Sequence, residues 1–332
     1  MKILKYILIG LVTVAILFVI LGLIVPKEYK VERTVSINAP DYVVMDHLRH
    51  LKKTDAWSPW ADYDPNMVHS YNGKDGAPGA SATWEGNKEV GKGSQELILV
   101  EPNRVESTVT FIEPWESTSN SYFQLSPEGE TTNVAWGFSG VNPFPWNVMT
   151  LFMNMDEMLG KDFERGLNKL KENTESLAAK WKVEEVQWPG KKFVGKRAEM
   201  SMDEIQSFFT HHYGELYPGL EKAKVVPGFP AGIYYTWDEE NGTTDLAVAV
   251  AVETEKVNIK DYDIIEVPSA KALKITYKGA YEQMMPAYET VDAYLWQRNI
   301  DFNGIVVEEY VSGPGTEADT SQWVTDIYFV FQ

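Results

Sequence analysis

Glu309 is the residue in this sequence best placed to do chemistry. It follows Ile305-Val306-Val307, and the two-residue period of a strand puts it on the face of Ile305 and Val307. A carboxylate among apolar neighbours costs free energy unless it is paired. A cationic ligand, a core Lys or Arg, or solvent at the strand end would each pair it, and Glu308 next door faces the other way. Rings that could wall a cleft around Glu309 are Tyr235 and Trp237 on a strand and Phe208, Tyr288 and Trp296 on helices. Setting Gly232 against Gly304 brings Trp237 opposite Glu309 and Tyr235 opposite Val307. Each ring facing a cation would contribute about 0.5–2 kcal/mol. Three rings and one carboxylate could therefore hold a lipophilic cation without any reaction. The same rings also suit plain strand faces and helix cores.

Other chemistries lack their residues. Cysteine is absent, which excludes disulfides, thiolate metal sites and a thiol nucleophile. The five histidines are His47, His50, His69, His211 and His212, and none forms an H-E-x-x-H pair. No Ser/His/Asp order, P-loop or dinucleotide glycine pattern occurs. Gly91-Lys92-Gly93-Ser94 lacks the upstream glycine of a phosphate loop. No metal and no cofactor is expected. Formal net charge is −18. The first 33 residues hold five basic against two acidic residues, a net of +3, leaving −21 for the remainder. So acidic a surface repels phosphate backbones, and no nucleic-acid partner is expected.

These residues need elements to position them. Tyr6 to Val25 is twenty residues without a charge, enough to span a bilayer core as a helix. Leu23-Ile24-Val25-Pro26 offers no small-x-small cleavage site, so an uncleaved anchor over 4–25 is expected rather than a signal peptide. The short basic N-terminus, with Lys2 and Lys5, places the rest of the chain on the extracytoplasmic side of a single-pass protein. A first unit over 30–177 opens with an alternating strand, Val31–Ile37. A helix follows with Val43, Val44, His47, Leu48 and Leu51 inward, and then a loop containing Trp57 and Trp60. Six short runs punctuated by Gly91, Pro102-Asn103 and Pro127-Glu128-Gly129 read as an antiparallel meander. A helical stretch from about Trp146 to Leu177 closes the unit.

A second unit, 182–332, contains an internal repeat. Its first copy runs strand Phe193–Glu199, helix Met202–Leu220, strands Gly232–Trp237 and Asp245–Val252. The second runs strand Ala270–Tyr277, helix Tyr281–Arg298, strands Ile305–Tyr310 and Trp323–Phe331. Two strand–helix–hairpin copies should pair about a pseudo-twofold axis, with the seam between them a natural cleft. The fold class is therefore α+β: a membrane helix, a helix-gripping antiparallel sheet, then a duplicated strand–helix–hairpin domain.

The first unit resembles the START-like (SRPBCC) superfamily in its polyketide cyclase/dehydrase branch. The resemblance rests on Arg33-Thr34-Val35-Ser36-Ile37-Asn38-Ala39-Pro40, the Trp57/Trp60 loop, Gly91-Lys92-Gly93 and the run Gly160–Lys171. It implies a helix-grip fold with an apolar cavity between sheet and long helix. The second unit resembles the GyrI-like effector-binding domains. That resemblance rests on Tyr277-Lys278-Gly279-Ala280-Tyr281, Tyr288, Leu295, Trp296, Asn299 and Glu309-Tyr310. It implies a ring-lined pocket whose acidic residue, mapped onto Glu309, pairs with a cationic lipophilic ligand. The regulators of this family carry a DNA-binding segment, where this chain has a bilayer helix and a START-like unit. The expected function is a membrane-anchored binding protein for lipophilic small molecules, cationic ones among them, with a second apolar cavity in the first unit. Two alternatives stay open: a hydrolase or cyclase in which Glu309 and a tyrosine activate water, and an envelope scaffold with vestigial pockets. Ligand identity and oligomeric state are not legible.

Overall fold

The computed structural model describes residues 2–152, 154–254 and 257–332. The chain divides into two compact units, Met1–Ala178 and Ala179–Gln332.

The first unit begins with α1 (Lys2–Ile24), the one described helix long and apolar enough to cross a membrane. Its last carbonyls would be left without partners at the helix end. The buried Asn147 amide meets two of them, donating to Gly22 O at 2.8 Å and to Val25 O at 2.7 Å. Strand β1 (Glu28–Ile37) leads into α2 (Asp41–Arg49) and α3 (Leu51–Thr54). The meander then runs β2 (Val68–Asn72), β3 (Ser81–Glu85), β4 (Lys92–Glu101), β5 (Arg104–Glu113), β6 (Ser117–Glu128) and β7 (Thr131–Val141). The sheet order is β1-β7-β6-β5-β4-β3-β2, all antiparallel. One long helix, α4 (Met155–Lys180), packs Phe163, Leu167 and Leu170 into the core.

The helical stretch expected from Trp146 is interrupted. Trp146–Leu151 forms a 3-10 turn, and α4 starts only at Met155, where the Asn154 side chain accepts from Asp156 N at 3.0 Å. An Asn at this position satisfies amides that the first helical turn leaves open. The start of α4 is tied to β1 through Arg33, whose guanidinium bridges Asp156 and Glu164, each at 2.7 Å. Gly160 makes this crossing feasible: a Cβ there would lie 2.0 Å from Arg33 Nη2.

The second unit holds β8 (Glu184–Trp188), β9 (Lys191–Ser201), α5 (Ile205–Ala223), β10 (Pro230–Asp238), β11 (Thr243–Val252), β12 (Asp263–Val267), β13 (Ala270–Lys278), α6 (Met285–Gln297), β14 (Gly304–Ser312) and β15 (Val324–Phe331). Its sheet order is β12-β9-β11-β10-β14-β15-β13-β8, symmetric about the central β10–β14 pair. The two copies of the repeat sit on either side of that pair. Strands β8 and β12 are additions to the expected pattern. Each precedes one copy but pairs with the first strand of the other, β8 with β13 and β12 with β9. The sheet curls so that its edges meet, with Trp188 Nε1 donating to Val267 O. The inside of the curl is lined by small and branched residues, among them Ala231, Ile233, Ala247, Ala249, Ile305 and Val307. The opposite face takes the helices; Leu216 and Leu220 of α5 pack on Val194 and Val250.

Candidate functional site

The two faces of β14 decide the site. Side chains alternate along a strand, so Ile305, Val307 and Glu309 point into the curl while Glu308 and Tyr310 point to the helix side. Glu309 is buried against the apolar lining, and Lys191 at the start of β9 pairs with it at 2.5 Å. Of the partners weighed for Glu309 from sequence, the structure supplies a lysine, one that is half-buried and not in the core. Its carboxylate is on the face away from the ring cluster on the helix side.

Glu308 faces that cluster. It is 3% exposed and accepts three tyrosine hydroxyls. Tyr310 Oη donates to Oε2 at 2.6 Å, Tyr234 Oη to Oε2 at 3.2 Å, and Tyr288 Oη to Oε1 at 2.5 Å. The hydroxyls come from three elements: β14, β10 and α6. Phe209 of α5 and Tyr281, ahead of α6, lie edge-on or tilted to Tyr310 with centroids 6.3 and 5.1 Å away. Tyr213 of α5 donates to Ala231 O at 3.0 Å, fixing its ring beside the cluster. Gly232, paired in register with Glu308, leaves the room: a Cβ there would meet Tyr310 Oη at 2.9 Å and Phe209 Cζ at 3.1 Å.

Burial is the dominant electrostatic effect. It raises the Glu308 carboxyl above the ordinary carboxylate range, and the three hydroxyl donors oppose it. Burial and the neighbouring carboxylate also push the Tyr234, Tyr288 and Tyr310 hydroxyls upward. These phenols therefore remain neutral donors at physiological pH. The result is a desolvated carboxyl group that accepts three neutral phenol hydroxyls, with no cationic side chain among its described hydrogen-bond donors.

The sequence-derived residues are distributed unevenly around this centre. Tyr288 is in it. Trp237 is on its margin, half-exposed, with its ring 6.0 Å from that of Tyr234. A bulge in β10 between Tyr234 and Thr236 shifts the alternation and carries Trp237 to the Tyr234 side. Tyr235 takes the other face, where the Arg197 guanidinium stacks 3.5 Å over its ring. Phe208 packs edge-on against His212 at 4.4 Å; its neighbour Phe209 is the ring that reaches Tyr310. Trp296 is half-buried on α6, and none of the three hydroxyls on Glu308 is its neighbour in sequence. Sequence reasoning named Glu308 only as facing away from Glu309 and Tyr310 only as a carrier of the resemblance, and it passed over Tyr234. The i,i+2 spacing of Glu308 and Tyr310 was the available signal.

One described group has metal-ligand geometry: His211, His212 and Glu215 on α5, with ligand atoms within 4.8 Å of one another. Tyr262 already engages two of them, donating to Glu215 at 2.8 Å and lying 2.9 Å from His212 Nδ1.

In the first unit the rings meet each other. Trp136 stacks on Phe163 at 4.0 Å, and Trp57 and Trp60 stand edge-on to Trp136 at 5.6 and 5.8 Å. Trp57 is fully buried and donates to His47 O, so it caps the core. Trp136 Nε1 donates to Ser121 Oγ at 3.2 Å.

Comparison with known proteins agrees with this division. Residues 182–331 match the GyrI-like small molecule binding domain, and residues 28–175 match the polyketide cyclase / dehydrase and lipid transport family. The chain thus carries a helix-grip domain of the polyketide cyclase type followed by a GyrI-like domain, two domains of small-molecule-binding type. No curated protein matches the chain. Among solved structures, the EcmrR–DNA complex is similar over 56% of this chain and 68% of its own, at 16% identity and TM-score 0.42. SAV2435 bound to tetraphenylphosphonium is similar over 46% and 94%, at 18% identity and TM-score 0.35. A hydrolase from Listeria innocua is similar over 44% and 90%, at 10% identity and TM-score 0.34. Likeness at this level carries nothing about the ligand of this chain.

Proposed function

We propose that the protein is a membrane-anchored receptor whose GyrI-like unit binds a lipophilic cation against Glu308. The observation that carries this reading is a carboxylate 3% exposed with tyrosine hydroxyls as its described hydrogen-bond donors and no cationic side chain among them. A buried carboxylate without a counter-ion is costly, and a cation between the rings would relieve that cost. Its adjacent residue Glu309 has its own lysine and needs no ligand. Helix α1 would hold the receptor in the bilayer, with both units on the extracytoplasmic side, since Lys2 and Lys5 favour retaining the N-terminus inside. In the helix-grip unit the stacked Trp136–Phe163 pair supports a structural role at that point of the core. A second apolar ligand would lie beside the less buried rings Trp84 and Phe111.

The rival reading is hydrolytic. A carboxyl with a raised pKa beside tyrosines is also what a general base needs. Titration of the full chain with tetraphenylphosphonium and with a neutral triaryl analogue separates the readings. Saturable binding of the cation at micromolar strength, unmatched by the neutral compound, supports the receptor. Turnover of small electrophilic esters or epoxides that Glu308→Gln abolishes would replace it with the enzyme.

A further inference from the structure

The segment between β7 and α4 has a composition unlike its surroundings. Residues 141–155 carry no charge, although 23% of the chain is charged. Its large apolar side chains point outward: Trp146 is 63% exposed, Leu151 55% and Phe152 78%. Aromatic and aliphatic side chains so exposed in one uncharged run mark an interaction surface.

The contacts of this run with α1 identify its environment. The Trp146 ring lies edge-on to Phe18 at 6.4 Å. Phe144 lies against Gly22, where a Cβ would come within 2.9 Å of its ring. Asn147 ties the same segment to Gly22 O and Val25 O. Twenty uncharged residues, Tyr6–Val25, make about 30 Å of helix, which is the thickness of the hydrocarbon core. A helix that crosses the bilayer therefore has none of this run to spare. Phe18 lies about 10 Å below Val25 along the axis, so a side chain packed on Phe18 is also below the lipid surface.

The sheet register adds an independent contact point. Gly140 pairs with both Tyr29 and Ser119, which brings the β5–β6 turn to the end of the sheet where α1 joins β1. That turn carries Trp115, 79% exposed. Tryptophan is the side chain best suited to the membrane–water boundary, with an apolar body and one N–H donor.

We propose that residues 144–152, with Trp115, insert into the interfacial zone of the leaflet that receives the C-terminal end of α1. The first unit then lies against the lipid in a fixed orientation instead of swinging on a single tether. The inference rests on the reading that α1 crosses a bilayer.

The absence of cysteine allows a direct test on the full chain in phosphatidylcholine vesicles. Single variants Phe152→Cys, Ser126→Cys and Thr13→Cys are labelled with an environment-sensitive fluorophore. Each is then quenched by aqueous iodide or by lipids carrying a spin label near the headgroup or deep in the acyl chain. Ser126 is exposed near the β6–β7 turn, at the end of the sheet away from α1, and serves as the aqueous reference; Thr13 reports the middle of α1. The expected result is a several-fold lower iodide quenching at position 152 than at 126, with strong quenching by the shallow lipid label. Iodide access at 152 equal to that at 126, with Thr13 still quenched by lipid, overturns the interfacial contact and leaves the anchor standing. Shielding at 152 without lipid quenching also overturns it, assigning the patch to a protein partner or a second copy. Loss of lipid quenching at Thr13 itself removes the spanning helix, and the inference with it.

Discussion

Both units gather aromatic rings, and they use them oppositely. In the first unit Trp57, Trp60, Trp136 and Phe163 turn their faces and edges on one another, and the indole N–H groups of Trp57 and Trp136 find a backbone carbonyl and a serine. In the second, Tyr234, Tyr288 and Tyr310 turn their hydroxyls on one carboxylate. The first arrangement stabilises the fold by burying area. The second holds an ionisable group in a desolvated place, which burial alone disfavours. Ring density thus distinguishes nothing by itself; what the rings point at separates a core from a site.

The two units differ most at Trp136. Trp136→Ala removes the ring at the centre of the cluster and should lower stability by about 3–5 kcal/mol, read by denaturant unfolding. Cation binding by whatever protein remains folded should be unchanged. The adjacent carboxylates offer the next contrast. Glu309→Gln leaves Lys191 without its partner and should cost about 1–3 kcal/mol of stability, with a change in cation affinity no larger than about threefold, or under 0.7 kcal/mol. Tyr288→Phe keeps the ring and removes one donor to the Glu308 carboxylate. The expected loss is about 1 kcal/mol of cation affinity, with the pH midpoint of binding moved upward because one stabiliser of the charged form is gone. A midpoint unmoved by this change would show that the hydroxyl does not act on the carboxylate.

The smallest effect is the most specific in sign. Glu308 has a folded-state pKa above its unfolded value. Its contribution to stability is therefore present below the unfolded pKa and lost as pH rises through the folded one. Cation binding needs the ionised form and follows the opposite course, weakening as pH falls through the same raised value. Thermal unfolding of the unliganded protein should show this group's contribution decreasing with pH in that window, and Glu308→Gln should remove it. Parallel pH trends in stability and affinity would contradict the assignment.

Much of this was legible in the sequence, for stated reasons. Hydrophobic period and turn residues locate the meander of the first unit, the long helix and both copies of the repeat. The interruption at Trp146–Leu151 was not legible, because its apolar side chains keep helical spacing while the segment is fastened to α1 by Asn147. Strands β8 and β12 are five residues each, begin on an acidic residue, and pair across the repeat. The two-residue period placed Glu309 on the face of Ile305 and Val307, and the structure agrees. What the period could not state is that both faces of β14 are covered, one by the curl of the sheet and the other by helices. Nor could it supply Lys191, which is 118 residues away in the chain. The bulge in β10 likewise moved Trp237 from the Tyr235 face to the Tyr234 face.

Recognition of a cation is assigned to Glu308 and not to its neighbour Glu309. Calorimetric titration of tetraphenylphosphonium into the wild-type full chain, Glu308→Gln and Glu309→Gln, at one pH and salt concentration, tests it directly. The expected result is saturable binding to the wild type and to Glu309→Gln, and a loss of at least about 2 kcal/mol, roughly thirtyfold, in Glu308→Gln. Equal affinity in Glu308→Gln and the wild type, or loss confined to Glu309→Gln, would contradict it.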